Sequence, residues 1–170
     1  MIDSFFILIS AVVVLALTFD FINGFHDTAN TIATSISTKA MPPRVAIVLA
    51  STMNFLGALA FTGVAKTIGG KIADPLELEY GMVIVAVALV SAIIWNLVTW
   101  YFGIPSSSSH ALIGSLSGAV LAAAGLQAVN FEGLLTIFEA LILSPVVAFT
   151  VGFMIMGLIK TIFKNKHPAK

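Results

Sequence analysis

Residues 4–38 read SFFILISAVVVLALTFDFINGFHDTANTIATSIST, an apolar run that turns polar at Asp20 while keeping a helical character. A helix over these residues would be about 52 Å long, whereas the hydrocarbon core of a bilayer is about 30 Å thick. Gly24 lies among the polar residues, where a helix would most easily break. We therefore predict a broken first helix over 4–38, with a spanning part that ends near Ile22 and a re-entrant half-helix over about 28–37.

The composition places the chain in a membrane. Of its 170 residues, 59% are hydrophobic and 9% are charged, and the mean hydropathy is +1.07, whereas a soluble domain has roughly 25% charged residues. Four further stretches are about 20 residues long and apolar enough to cross a bilayer: 45–65, 82–103, 106–126 and 134–159. We predict an all-α membrane protein, in contact with lipid, in which residues 1–170 form a single transmembrane domain of about five helices plus the half-helix.

Charged residues orient the predicted helices. Lys39 and Arg44 lie between the first two spans and lysines crowd the tail, whereas the loop over 66–79 carries both signs of charge. If the two basic regions are cytoplasmic, the N-terminus is outside, the C-terminus is inside and the chain crosses five times. A re-entrant loop at 106–126 would instead leave four crossings and an external tail. An odd count predicts one half of an inverted-repeat transporter, completed by a second inverted half or a homo-oligomer.

Charge and motif content exclude several classes of protein. The formal net charge is zero, without the basic surface that nucleic acid requires, so we expect no nucleic-acid partner. The absence of cysteine excludes disulfides and thiolate chemistry. No nucleophile elbow, HExxH motif or P-loop occurs, and we expect neither an enzyme nor a resident cofactor. An intramembrane hydrolase built on Ser108 or Ser109 with His110 is disfavoured, because adjacent residues at a helix start point in different directions.

The polar half of the first helix is the most informative segment. Five side chains recur there at spacings of 3, 4, 3 and 4, which places them on one face of helical backbone. They are Asp20, Asn23, Asp27, Asn30 and Thr34. Because a charge at the bilayer centre costs about 2.5–3.5 kcal/mol, this face predicts a polar site rather than a lipid contact. The alternative is an interfacial break at which these groups only meet water.

A second polar segment precedes the fourth predicted span. Pro105 ends the preceding helix, and Ser106-Ser107-Ser108-Ser109-His110 follows. Because serine is a favoured N-cap, a helix that begins here would offer hydroxyls, free N–H groups and a positive dipole end, all of which suit an anion. The serines could also do no more than cap the helix. The histidine could relay a proton near neutral pH or pack against a backbone carbonyl.

Isolated polar residues elsewhere are harder to assign. Asn54 and Asn96 lie in otherwise apolar spans, where amides most often bridge helices. We keep Asn54 as a candidate for the site and favour a packing role for Asn96. For His26 we favour a structural role.

Several motifs, in order and at sensible spacing, together resemble the inorganic phosphate transporter (PiT) family, and in particular its bacterial low-affinity branch. They are Ile22-Asn23-Gly24-Phe25-His26-Asp27-Thr28-Ala29-Asn30, Thr38-Lys39-Ala40, Asn54-Phe55-Leu56-Gly57, Ile94-Trp95-Asn96, Thr99-Trp100-Tyr101-Phe102-Gly103, Pro105 and Ser107-Ser108-Ser109-His110. The resemblance covers nearly the whole chain. Family members hold two such halves, and this sequence matches the N-terminal one. Animal members carry an acidic residue at the position of Asn54.

The resemblance implies symport of inorganic phosphate with a proton or a sodium ion in a bacterial or archaeal plasma membrane, or of phosphate as a complex with a divalent metal. The expected phosphate-binding residues are Asp27, Thr28, Asn30, Ser107, Ser108, Ser109 and His110. The residues expected to couple the cation are Asp20, Asn23, Asp27 and Asn54. Any metal ligands stay open. A sulfate permease, a passive anion channel and a half-subunit inactive without its partner are the alternatives. The predicted phosphate site requires Asp27 and Ser108 to lie close together.

Overall fold

The computed structural model describes residues 4–60 and 80–164, and within these ranges the regular structure is helical. The helices are α1 (Ser4–Ser37), α2 (Pro43–Ala60), α3 (Gly81–Tyr101), α4 (Ser108–Ala124) and α5 (Phe131–Ile162), with a 3-10 turn at Leu126–Ala128. Four of them, α1, α2, α3 and α5, are long and apolar enough to cross a membrane, and α4 is a shorter apolar helix. The predicted all-α membrane fold is therefore confirmed. The loop predicted at 66–79 lies outside the described residues.

The first helix is continuous, so the predicted break near Gly24 and the re-entrant half-helix over 28–37 are wrong. α1 runs for 34 residues. A single glycine costs a helix only about 1 kcal/mol relative to alanine, which is less than the cost of freeing several backbone groups in lipid. The hydroxyls of Thr18 and Thr31 also donate to carbonyls one turn earlier, at 2.8 and 2.9 Å. The part of α1 that exceeds the thickness of the hydrocarbon core is therefore helical as well.

Local sequence explains how α1 ends and α2 begins. Lys39 adopts a left-handed conformation with φ 58°, and its N–H donates to the Ile36 carbonyl at 3.0 Å. Pro43 is the first residue of α2. Proline suits this position because its missing N–H would have no partner in the first turn.

The turn between α3 and α4 positions the serine segment. Gly103 has φ 64°, a conformation that favours glycine. Its N–H donates to the Trp100 carbonyl at 3.1 Å, and that of Ile104 donates to the Thr99 carbonyl at 2.9 Å, which together close the end of α3 as a Schellman motif. α4 then begins with Ser107 as its N-cap, which confirms the predicted serine cap in this segment.

Helices α1 and α3 pack side by side in parallel. Phe19 of α1 belongs to a buried cluster with Leu89 and Ala92 of α3. Two to three turns farther along both helices, the His26 ring meets the Thr99 hydroxyl. Since both contacts advance toward the C-terminal ends, positions 73 apart in sequence lie at the same level of this interface. The register decides which polar side chains can meet.

The chain divides into two compact units, Met1–Asn130 and Phe131–Lys170. In the second unit, α5 continues through Pro145. Proline cannot donate to the carbonyl four residues earlier, which belongs to Leu141. The Ser144 hydroxyl donates to that carbonyl at 3.3 Å, and such side-chain donors allow a membrane helix to tolerate proline.

Candidate functional site

Ser108 and Asp27 form a hydrogen bond at the start of α4. The Ser108 hydroxyl donates to Oδ1 of Asp27 across 3.1 Å. The serine is 1% exposed, whereas the side chain of Asp27 is 45% exposed. The expectation that these two residues lie close together is therefore confirmed. A carboxylate beside a helix N-terminus is favourably placed, because the helix dipole is positive there.

Two residues that the sequence did not assign to the site also join this contact. Nδ1 of His26 lies 3.1 Å from the same Oδ1 of Asp27, and His26 is only 4% exposed. Its Nε2 lies 3.4 Å from the hydroxyl oxygen of Thr99 on α3. Asp27, His26, Thr99 and Ser108 thus form one polar cluster, which we call the Asp27 cluster, and it links α1, α3 and α4. Neither contact of the carboxylate uses its Oδ2.

The first turn of α4 presents hydrogen-bond donors beside the Asp27 cluster. The Ser107 hydroxyl accepts from the His110 N–H at 3.4 Å. The N–H groups of Ser108 and Ser109 precede the first intrahelical hydrogen bond, so the helix itself gives them no acceptor. Such groups bind anions. Asp27 therefore places its negative charge next to an end of α4 that would also attract an anionic ligand.

Two predicted site residues lie between α1 and α2 rather than beside α4. Thr28 and Asn54 line two grooves between α1 and α2, with volumes of about 550 and 280 Å³. Asp27 is not among the lining residues of either groove. Consecutive residues of a helix point about 100° apart, so Asp27 faces α4 while its neighbour faces α2.

The remaining predicted residues are also dispersed. His110 lines a groove of about 540 Å³ between α3 and α4 together with Trp95 and Ser106, and the indole N–H of Trp95 donates to the Ser106 hydroxyl at 3.2 Å. Asp20 and Asn30 are exposed on α1. The structure therefore brings Asp27 and Ser108 together, with Ser107 and Ser109 in the same helix start. It places five other predicted residues on separate surfaces: Thr28, Asn54, His110, Asp20 and Asn30.

Two amide side chains with buried polar atoms lie about one turn before the Asp27 cluster on α1 and α3. Asn96 is fully buried, and neither Oδ1 nor Nδ2 of its side chain has a hydrogen-bond partner among the described residues. Oδ1 of Asn23 is buried and unpartnered in the same way. Within the described ranges, no three histidine or carboxylate side chains group as a metal site. The sequence favoured packing for Asn96, and only the register of α1 against α3 reveals its neighbour.

These observations define an integral membrane protein with a polar cluster held between three of its helices. Residues 23–170 match the Phosphate transporter family, and the chain belongs to this family. The resemblance stated from the motifs is thereby confirmed. The relatives of the chain are named as transporters, which agrees with the prediction that the chain is not an enzyme.

Known relatives extend the similarity over the whole chain. It is 60% identical over 168 residues to a probable low-affinity inorganic phosphate transporter of Bacillus subtilis (strain 168), covering 99% of this chain and 50% of that protein. It is 45% identical over 140 residues to the low-affinity inorganic phosphate transporter PitA of Escherichia coli (strain K12), covering 76% of this chain and 28% of that protein. A solved structure titled "The sodium-dependent phosphate transporter" aligns with a TM-score of 0.81 and 33% identity, covering 95% of this chain and 41% of that one. The chain thus spans half or less of each of these three proteins.

Proposed function

We propose that this chain is one half of a secondary transporter that carries inorganic phosphate, together with a cation, across a bacterial plasma membrane. The observation that supports this most directly is the hydrogen bond from Ser108, at the start of α4, to the carboxylate of Asp27. The names of the relatives point to phosphate as the substrate. The geometry supplies a reason why phosphate would not travel alone.

The charge of Asp27 makes phosphate binding depend on a cation. At about 4 Å, two like unit charges repel by roughly 4 kcal/mol in an effective dielectric of 20. A proton or a metal ion at Asp27 would remove this repulsion and weaken the hold of the carboxylate on the Ser108 hydroxyl. That hydroxyl and the N–H groups of Ser108 and Ser109 could then donate to a phosphate oxygen. The cation and the phosphate would therefore bind together.

The cation is proposed as a proton or a sodium ion, and a divalent metal could enter with phosphate as a complex. One solved relative is named as sodium-dependent, whereas the bacterial relatives' names specify no cation. Separate proton and sodium gradients across a vesicle membrane distinguish the two.

Uptake of radiolabelled phosphate into proteoliposomes tests the proposal. The chain would be reconstituted with and without a complementary inverted half, under either gradient. Asp27→Asn should abolish gradient-driven accumulation, because the neutral amide neither needs nor attracts the cation. Ser117→Ala is the control, since that hydroxyl donates to the Ile113 carbonyl within α4 at 2.8 Å, and it should transport normally.

Each other outcome has a defined meaning. Accumulation by Asp27→Asn that equals the unmodified protein would contradict the coupling role of this carboxylate. Displacement of the label by sulfate would indicate a sulfate permease. If the internal phosphate concentration never exceeds the external one, the chain would be a passive channel. Uptake seen only with the second half would identify the chain as an incomplete subunit.

A further inference from the structure

Asn23 and Asn96 occupy matching positions on α1 and α3. Each lies three residues before a member of the pair His26 and Thr99, whose side chains meet at 3.4 Å. About one turn toward the N-terminal ends of both helices lies the buried cluster that contains Phe19. Because the two helices run in parallel, the two amides lie at the same level of the interface, between these two contacts.

Both side chains hold buried polar atoms that lack a hydrogen-bond partner among the described residues. These are both polar atoms of the Asn96 side chain and Oδ1 of Asn23. Leaving a buried polar group unsatisfied costs about 1–3 kcal/mol. Native proteins therefore rarely keep such groups together unless a ligand or water satisfies them.

The charges near this level favour a cation. Asp20 and Asp27 lie on the same face of α1, three residues before Asn23 and four residues after it. Helix α3 carries no charged side chain, and the one titratable side chain of α4 is His110. The basic residues Lys39 and Arg44 both follow the end of α1, and Arg44 lies in the first turn of α2. The further titratable groups on these helices are His26, which is bonded to Asp27, and Tyr101 at the end of α3.

We propose that Asn23 and Asn96 form a subsite for a monovalent alkali cation. Carbonyl oxygens can replace part of the hydration shell of an alkali ion, and the two Oδ1 atoms would supply the protein's share of the coordination. The Nδ2 group of Asn96 then donates to a water that the ion retains. The ion would lie about one helical turn from Asp27, where its charge reduces the repulsion between that carboxylate and phosphate. Binding of the ion does not require phosphate, although its role in transport rests on the proposed function.

Thermal unfolding of the detergent-solubilised chain in phosphate-free buffer tests this subsite. NaCl, LiCl or KCl would replace choline chloride at constant ionic strength. At least one alkali cation should raise the midpoint by about 2–4 °C in a saturable manner. Asn96→Leu and Asn23→Leu should each abolish this rise. Asn96→Asp should lower the half-saturating concentration severalfold, because a carboxylate binds the ion more strongly than an amide.

The measured quantity is the cation-dependent rise, so a variant with altered baseline stability stays informative. Ser91→Ala is the matched control on α3, since its hydroxyl donates to the Val87 carbonyl at 2.8 Å, and it should keep the full rise. Equal midpoints in all four salts, or a full rise in Asn96→Leu, would overturn the inference and assign the pair to a bridging water. Loss of phosphate uptake with the rise intact would refute only the proposed function.

Discussion

At Asp27, one carboxylate oxygen joins contacts from two directions. Oδ1 accepts from Ser108 of α4 and lies 3.1 Å from the ring of His26, which reaches Thr99 of α3 through its other nitrogen. Hydrogen bonds to charged groups contribute more than neutral ones, about 1.5–3 kcal/mol each. A change in the charge of this one side chain would therefore be felt by three helices.

Ser108→Ala should weaken phosphate binding by about tenfold or more, because the charged ligand loses one hydrogen bond. The measurement is the KM for phosphate in the reconstituted transporter, with Ser117→Ala as the control on the same helix. A KM unchanged from that of the control would remove Ser108 from the binding site.

At the scale of the helix, α1 carries polar side chains without breaking. The helix spans 34 residues, about 51 Å at 1.5 Å per residue. His26 and Asp27 meet α3 and α4 through their side chains, and the backbone does not open to water around them. Several hydroxyls on α1 donate to carbonyls of the same helix, as Thr31 does to the Asp27 carbonyl at 2.9 Å. A glycine within this helix is therefore not evidence of a hinge.

Gly24→Ala should stabilise the protein by about 0.5–1 kcal/mol, because alanine is the better helix former. A Cβ atom at Gly24 meets no atom within 4 Å among the described residues. The midpoint of thermal unfolding in detergent measures the change. Gly103→Ala is the contrasting variant, since φ at that position is +64°, and it should be destabilised by about 1 kcal/mol because a Cβ atom disfavours the left-handed conformation. If both variants lose stability alike, α1 is broken at Gly24.

At the scale of the first unit, helix direction limits the topology. Parallel α1 and α3 enter the membrane from the same side, which requires the chain between them to return across it, as α2 can do. Beyond His26, which is level with Thr99 near the end of α3, α1 continues to Ser37, and α2 lines grooves against this extension. The start of α4 therefore lies level with the interior of α1 rather than with its end.

The orientation can be tested by labelling single cysteines, because the chain has none of its own. Lys39→Cys should resist a membrane-impermeant maleimide in intact cells and react after lysis, since the basic region is expected in the cytoplasm. Gln127→Cys, in the turn after α4, should react in intact cells. The reverse pattern would invert the proposed topology. Labelling of both cysteines from the same side would contradict five crossings, which require positions 39 and 127 to lie on opposite sides of the membrane.

The sequence alone determined the properties that depend on single segments. Apolar length and scarce charge specify membrane helices, and residues such as Pro43, Gly103 and Ser107 specify where helices begin or end, because these are effects of solvent transfer and of local backbone geometry. Only the tertiary structure decided that α1 is continuous and that Thr28 and Asn54 lie on a different side from Asp27. It also decided that Asn23 and Asn96 lie at the same height along the interface between α1 and α3. The reason is that the direction of a helix face becomes meaningful only when the neighbouring helix and its register are known.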